Sequence, residues 1–247
     1  MDPLSAKPVR RPYGDHSSQF VDVILPGDDE PLGVILSLHG GYWRDTYGLD
    51  LHDPIVEHCV ALGWAVVNAE YRRIAAGQGA VWHAMASDVH QGAMIARGIA
   101  GSSPLVALGH SAGGHLALWL AAQREVAIDA VVALAPVADL LTADRLQLSD
   151  HVTLDLLGVG SDEDPDLYRE ASPLHLLPLG IPQLVVHGPL DDRVPYEIAV
   201  SYVESARSLG DEVTFVNEED IDHFTVIDPS AALWRHVDKF LSDQRPY

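Results

Sequence analysis

The chain of 247 residues holds a single cysteine, only two lysines and no apolar run long enough to cross a membrane. One cysteine, Cys59, excludes an internal disulfide, and its apolar helical surroundings favour a buried small hydrophobe over a nucleophile. The first residues are polar and proline-rich, without the apolar stretch of a secretory signal. From these absences we expect a cytoplasmic protein.

Basic residues are scarce: 15 lysines and arginines stand against 36 aspartates and glutamates, for a formal net charge of −21. Such a surface repels nucleic acids and anionic membranes, so neither is expected as a partner. The charge keeps the chain soluble but says little about a reaction. The sequence leaves the oligomeric state open between monomer and homodimer.

Motifs for bound metals and nucleotides are missing as well. The 13 histidines are scattered, and no pair has the H-x-x-x-H spacing of a zinc site. No glycine fingerprint of a dinucleotide or phosphate site occurs either. We therefore expect no metal and no cofactor.

What the chain does contain is an alternation of short apolar, β-branched segments with helical patterns. Several of the strand segments are apolar on both faces, which is typical of a parallel sheet covered by helices. The pattern predicts a three-layer α/β domain at 20–247, with a mostly parallel central sheet flanked by helices, after an N-terminal extension at 1–19. Strands are predicted at 20–25, 33–39, 64–71, 105–109, 128–135, 182–187 and 212–217, and helices at 49–62, 81–100, 112–124, 196–209 and 229–242.

One stretch, 137–180, is too long for a simple connection between two strands. We interpret it as a short helical insertion that forms a lid. Its leucines would either cover an aromatic part of a substrate or form the insertion's own small core; they are Leu140, Leu141, Leu154 and Leu157.

A serine lies between two glycines where a strand pattern meets a helix pattern, in Gly-His-Ser-Ala-Gly at 109–113. A plain tight turn is one interpretation. The other is a catalytic nucleophile: a sharp strand-to-helix turn crowds the positions two residues away, so Gly109 and Gly113 are needed for steric reasons. The helix N-terminus then directs backbone N–H groups at negative charge near Ser111. We predict Ser111 as the nucleophile.

A glycine pair follows an earlier strand, in Leu-His-Gly-Gly-Tyr-Trp at 38–43. Consecutive glycines let the backbone turn and present N–H groups, which acyl transfer needs where an oxyanion forms. We predict an oxyanion hole made by the N–H of Ala112 and that of Gly41 or Tyr42. His39 is predicted to stabilise the loop.

Three side chains with aromatic rings lie within these two motifs. Tyr42 and Trp43 are predicted to wall the acyl side of the site, with simple core packing as the alternative. His110, next to the serine, is a further candidate for substrate contact.

The acid and base of a serine triad follow the nucleophile in the order Ser, Asp, His in enzymes with this strand–turn–helix motif. Asp191 and Asp192 come just after a predicted strand, and Asp191 is preferred as the residue that orients the imidazole. His223 lies after the next strand and is the predicted general base. His187 and His236 are weaker candidates because one ends a strand and the other lies within a helix.

These motifs resemble the α/β-hydrolase fold and, within it, the arylformamidase (kynurenine formamidase)-like and related esterase branch. The resemblance spans about 20–242 and rests on His-Gly-Gly-Tyr-Trp at 39–43, Gly-His-Ser-Ala-Gly-Gly-His-Leu-Ala at 109–117 and Ala-Glu-Tyr-Arg-Arg at 69–73. His-Gly-Pro-Leu-Asp-Asp-Arg-Val-Pro at 187–195 and the later Asp-His-Phe resemble the acid and base loops. The resemblance implies a serine hydrolase that forms an acyl-enzyme from small carboxylic esters or N-formyl aryl amides.

Two other functions stay open. Prolyl oligopeptidase-like peptidases share similar motifs, although nothing here resembles their propeller domain. A non-catalytic binding module with the same fold is the third interpretation, against which the intact Ser111, Asp191 and His223 argue.

Overall fold

The computed structural model describes residues 7–27, 30–75 and 80–245. Within them, one sheet contains eight strands in the order β1-β2-β4-β3-β5-β6-β7-β8. Strand β2 pairs antiparallel with β1 and β4, whereas strands β3 to β8 pair in parallel. The strands are β1 Val9–Pro12, β2 Phe20–Ile24, β3 Val34–Leu38, β4 Ala65–Ala69, β5 Leu105–His110, β6 Ala130–Leu134, β7 Gln183–Val186 and β8 Val213–Val216.

Helices follow most of the strands, as the sequence predicted. They are α1 Asp53–Ala61, α2 Trp82–Ala100, α3 Ala112–Gln123, α4 Leu140–Arg145, α5 Leu148–Leu157, α6 Pro165–Ala171, α7 Tyr196–Ser208 and α8 Trp234–Asp243, with short 3₁₀ turns at Leu49–His52, Pro173–Leu176 and Thr225–Ile227. In the described ranges, no helix combines the length and the apolar character needed to span a bilayer.

The central strands are buried on both faces, and their side chains alternate between two hydrophobic clusters. Leu36 and Ala107 belong to the cluster that contains α2, α3 and α7, whereas Ile35 and Val106 belong to the one that contains α1 and α8. The fold is therefore the three-layer, mostly parallel α/β arrangement that the sequence predicted.

The chain changes direction across the sheet between β3 and β5. Strand β4 lies on one side of β3, and the later strands continue on the other side of β5. Leu38 at the end of β3 pairs in register with Gly109 of β5. The loops that follow these two strands consequently emerge side by side, at the point where open α/β sheets bind ligands.

The edge strand β1 was not predicted. It lies in the segment 1–19, and all four of its residues are exposed, so no alternation of apolar and polar residues marks it. Its pairing is supported by an ion pair of 2.8 Å between Arg10 and Asp22 of β2. Residues 1–6 of the predicted extension and 246–247 of the predicted domain lie outside the described residues, and the boundary at 19/20 stays a prediction.

The predicted insertion is present between β6 and β7 as helices α4 to α6 and the 3₁₀ turn at Pro173–Leu176. Leu140, Leu141 and Leu157 are buried in the hydrophobic cluster that also contains α2, α3 and α7, whereas Leu154 is exposed. The three buried leucines therefore pack in the main core of the domain rather than in a separate small core of the insertion. Its role as a lid stays a prediction.

Candidate active site

Ser111 occupies the sharp turn between β5 and α3. Its backbone has φ 55° and ψ −118°, a conformation that L-residues rarely adopt, and only 1% of the residue is exposed. A Cβ at Gly109 would lie 2.1 Å from the carbonyl oxygen of Gly113, and one at Gly113 would lie 1.9 Å from that of Leu38. The two glycines are thus sterically required, as predicted, and Gly113 allows the turn to lie close to the end of β3.

The loop after β3 runs past this turn. Gly41, Tyr42 and Trp43 have φ values of 115°, 53° and 58°, so three successive residues adopt left-handed or related backbone conformations. Among the described residues, no acceptor pairs with the backbone N–H of Gly41, Tyr42 or Ala112. These N–H groups are therefore available as hydrogen-bond donors beside Ser111, which is the arrangement an oxyanion hole needs.

The structure brings Asp191 and His223 together. Nδ1 of His223 donates to Oδ2 of Asp191 over 2.7 Å, and only 4% of His223 is exposed. The imidazole rings of His223 and His110 also pack together, with their centroids 4.6 Å apart. Nε2 of His110 donates to the backbone oxygen of His223. With Nδ1 engaged as a donor, Nε2 is the nitrogen with a free lone pair.

Asp191 is held by four donors, although its side chain is fully buried. Oδ1 accepts from the backbone N–H groups of Arg193 and Val194, each at 2.8 Å, and Oδ2 lies 3.0 Å from Nε2 of His187. Burial alone would raise the pKa of Asp191, but the hydrogen bonds from His187 and His223 outweigh it and hold that pKa well below its usual range. The carboxylate is therefore ionised at neutral pH.

Ser111 and His223 line one cavity of about 250 Å³. No hydrogen bond joins these two side chains in the described structure, which is common before a substrate binds. The cavity is lined by Gly41, Tyr42, Tyr47, Leu51, His110, Ser111, Arg193, His223 and Phe224. Burial raises the pKa of the Tyr42 phenol to about 12, and its hydroxyl donates to the backbone oxygen of Arg193 over 2.8 Å.

Other predicted residues lie elsewhere. Asp192, the alternative acid, has a side chain 76% exposed that pairs with Arg193 at 3.3 Å rather than with a histidine. The prediction that Trp43 walls the acyl side is wrong: Trp43 is fully buried and its indole donates to His115 Nδ1 over 3.2 Å, away from the cavity. In the described ranges, no group of three or more His, Cys, Asp or Glu side chains is placed to hold a metal ion.

Sequence reasoning gave no role at the site to His187 or Glu70. His187 was considered only as a competing base, yet it contacts Oδ2 of Asp191, the oxygen that also accepts from His223. Oε1 of Glu70 lies 3.1 Å from Nε2 of His39 in the loop after β3. The spacing of four between His187 and Asp191 was a usable signal, whereas the contact of Glu70 with His39 depends on the pairing of β3 with β4.

The comparisons with known proteins agree with this architecture. A model of the prolyl oligopeptidase family matches residues 61–244, a range that includes Ser111, Asp191 and His223 but not the loop after β3. Esterase LipC of Mycobacterium tuberculosis (strain ATCC 25618 / H37Rv) is 27% identical over 221 residues, which are 80% of this chain and 54% of that protein. This chain thus spans about half the length of that relative.

Kynurenine formamidase of Danio rerio is 24% identical over 237 residues, which are 88% of this chain and 74% of that protein. A solved structure described as a bacterial heroin esterase superposes with a TM-score of 0.78 at 22% identity, over 99% of this chain and 84% of that one. At that identity the likeness shows the fold alone. The resemblance to an esterase branch of α/β-hydrolases is confirmed by these matches.

Proposed function

The chain belongs to the prolyl oligopeptidase family, and from that membership and the geometry of its site we propose that it is a serine hydrolase of small carboxylic esters or N-formyl aryl amides. The observation that carries the proposal is the 2.7 Å hydrogen bond from His223 to Asp191, because His223 lines the same cavity as Ser111. Nucleophilic acyl transfer uses these three groups: a hydroxyl as nucleophile, an imidazole as base and a carboxylate that orients the imidazole.

In the first half of the reaction, Oγ of Ser111 attacks the carbonyl carbon of the substrate while Nε2 of His223 takes the hydroxyl proton. Asp191 keeps Nδ1–H in place, which leaves Nε2 free to accept, and its negative charge stabilises the imidazolium that forms. The negative charge on the former carbonyl oxygen is held by the N–H of Ala112 and that of Gly41 or Tyr42.

The tetrahedral intermediate collapses when His223 returns the proton to the alcohol or amine that leaves. The acyl group is then an ester of Ser111. A water molecule gives its proton to Nε2, attacks that ester through a second tetrahedral intermediate and releases the acid, and the proton passes back to Ser111.

The substrate class follows from the cavity and from the relatives. A volume of about 250 Å³ suits a small acyl group with an aromatic leaving group, and the bulky side chain of Tyr42 takes up part of the lining. One relative is named an esterase and the other a formamidase, which supports esters and N-formyl amides as the two substrate classes to test.

A peptidase is the second candidate, because the family that matches is described by a peptidase activity. A catalytically inactive binding protein is the third; the ionised Asp191 held against His223 argues against it, since a binding pocket has no need of that pair.

One substrate panel separates these candidates. Turnover is measured for p-nitrophenyl acetate, an N-formyl arylamine and a proline p-nitroanilide, with wild type beside Ser111→Ala. We expect the ester or the formamide to be hydrolysed and Ser111→Ala to be inactive on it. Preferential cleavage of the anilide would favour the peptidase, and no turnover of any substrate would favour the binding protein.

A further inference from the structure

Glu70 directly follows β4 and is almost fully buried, with 6% of the residue exposed. Oε1 accepts from Nε2 of His39 and from the backbone N–H of Tyr71, each at 3.1 Å, and Oε2 accepts from the N–H of Leu49 at 3.2 Å. A guanidinium nitrogen of Arg73 lies 3.3 Å from Oε1. Burial alone would raise the pKa of Glu70, but the hydrogen bond and charge of His39 and the charge of Arg73 outweigh it and lower that pKa.

His39 connects this carboxylate to the loop after β3. Its Nδ1 lies 2.8 Å from the backbone oxygen of Gly40, and its ring stacks on Tyr71 with centroids 4.5 Å apart. The hydroxyl of Tyr71 donates to the backbone oxygen of His39 over 2.6 Å. Both partners of the His39 ring nitrogens, the carboxylate of Glu70 and the backbone carbonyl of Gly40, are hydrogen-bond acceptors. Glu70, His39 and Gly40 thus form a continuous chain of contacts.

The next residues need such support. A Cβ at Gly40 would lie 3.2 Å from the Cβ of Ser111, so the loop passes directly beside the serine. Tyr42 and Trp43, with φ values of 53° and 58°, keep conformations that cost free energy and persist only where surrounding contacts impose them. Donors of an oxyanion hole must be held to within a fraction of an ångström, because small displacements lower the rate sharply.

We propose that Glu70 is a positioning residue which, through His39 and Gly40, holds the N–H groups of the Gly41–Tyr42 segment in place for the oxyanion. The inference rests on the proposed serine mechanism. Glu70 does not touch the substrate, and its effect reaches the reaction through the loop. Its loss consequently weakens binding of the transition state more than binding of the substrate.

The main test compares Glu70→Gln with Asp88→Asn. Asp88 is also buried and also paired with an arginine, Arg72, but no hydrogen bond links it to the loop after β3 within the described chain. For Glu70→Gln we expect kcat on p-nitrophenyl acetate to fall about 10- to 100-fold with KM nearly unchanged. The affinity for an aryl trifluoromethyl ketone, which forms an oxyanion on the serine, should fall by the same factor.

Asp88→Asn should keep kcat and the ketone affinity within about twofold of wild type, even if its melting temperature falls. The proposal is overturned if Glu70→Gln keeps wild-type kcat, if its ketone affinity is unchanged, or if Asp88→Asn loses as much kcat as Glu70→Gln does.

His39→Asn provides the second variant and carries the test alone if Glu70→Gln does not fold. The shorter amide can still donate to Gly40 but no longer reaches Glu70, which keeps its contacts with Tyr71 and Leu49. We expect the same loss of kcat, and a double variant no slower than either single one, since both break the same link. A His39→Asn enzyme with wild-type kcat, or losses that multiply in the double variant, would overturn the proposal.

The serine mechanism has its own control. Wild-type protein, with Glu70 intact, is treated with a fluorophosphonate, which labels an activated serine. If wild type is not labelled, the proposed function fails. If wild type is labelled and Glu70→Gln turns over normally, only the role of Glu70 fails.

Discussion

His223 donates from Nδ1 to Oδ2 of Asp191 over 2.7 Å, across 32 positions of sequence. The contact is a consequence of the sheet: Asp191 follows β7, His223 follows β8, and these strands pair in parallel, so their carboxyl ends lie side by side. Ser111 follows β5 on the same edge. Three loops that are distant in sequence therefore meet at one cavity.

Two adjacent aspartates provide a matched pair for the first prediction. Asp191→Asn should lower kcat by about 10³- to 10⁴-fold, because the amide no longer holds the imidazole in the tautomer with a free Nε2. Asp192→Asn should stay within about threefold of wild type, since that side chain is exposed and pairs with Arg193. Steady-state kinetics on p-nitrophenyl acetate decide; equal losses in the two variants would refute the assignment.

The second prediction is that the Asp191→Asn and Asp192→Asn variants differ in how their stability changes at acid pH. The pKa of Asp191 is lower in the folded than in the unfolded chain, so the unfolded chain binds a proton more readily. The ionised carboxylate therefore stabilises the fold fully at pH values above the ordinary aspartate pKa of ~4. This stabilisation is lost as the pH falls below that value. Melting temperatures measured from pH 6 down to pH 3 should therefore fall more steeply for wild type than for Asp191→Asn. Asp192→Asn should keep the wild-type slope, and parallel curves for all three proteins would count against the shift.

Two glycines test the packing of the serine turn. Gly113→Ala should lower the free energy of unfolding by on the order of 3 kcal/mol or more, because the new methyl group would overlap the backbone oxygen of Leu38. Gly98→Ala, on the exposed side of α2 with open space around it, should instead stabilise the protein by roughly 0.5–1 kcal/mol. Urea denaturation measures both, and a fully stable Gly113→Ala protein would contradict this account of the turn.

Tyr42 provides the prediction on acyl length. Catalytic efficiency on p-nitrophenyl esters should fall from acetate to decanoate in wild type, because carbons that find no room forfeit about 0.8 kcal/mol of burial each. Tyr42→Gly opens the cavity, and glycine accepts the φ of 53° at this position, so longer esters should gain at least about tenfold. Tyr42→Phe keeps the ring and should keep the wild-type order. A preference of wild type for decanoate would reject the idea.

Much of the fold could be predicted because buried parallel strands have a strong local signature. All seven predicted strands correspond to β2–β8, since each is an apolar segment bounded by turn residues. Strand β1 could not be found in this way, because its exposed residues pair through the backbone and through the contact of Arg10 with Asp22.

The site was predictable where a motif fixes local geometry and not where a side chain's direction depends on tertiary contacts. Gly109 and Gly113 mark the serine turn by steric necessity. Trp43 follows Tyr42 directly, yet the left-handed backbone at both positions directs its indole into the core beside His115. The contact of Glu70 with His39 joins neighbouring strands and has no signal in sequence spacing.

The central claim, that Ser111 is an activated nucleophile, is tested most directly by covalent labelling. Wild-type protein is incubated with an alkyl fluorophosphonate, whose phosphorus bonds to the serine oxygen as fluoride leaves, and the modified peptide is identified by mass spectrometry beside Ser111→Ala and His223→Gln. The account predicts one label per chain on Ser111, none in Ser111→Ala and labelling at least about 100-fold slower in His223→Gln. An unlabelled wild type, or equal labelling of Ser111→Ala, would contradict it.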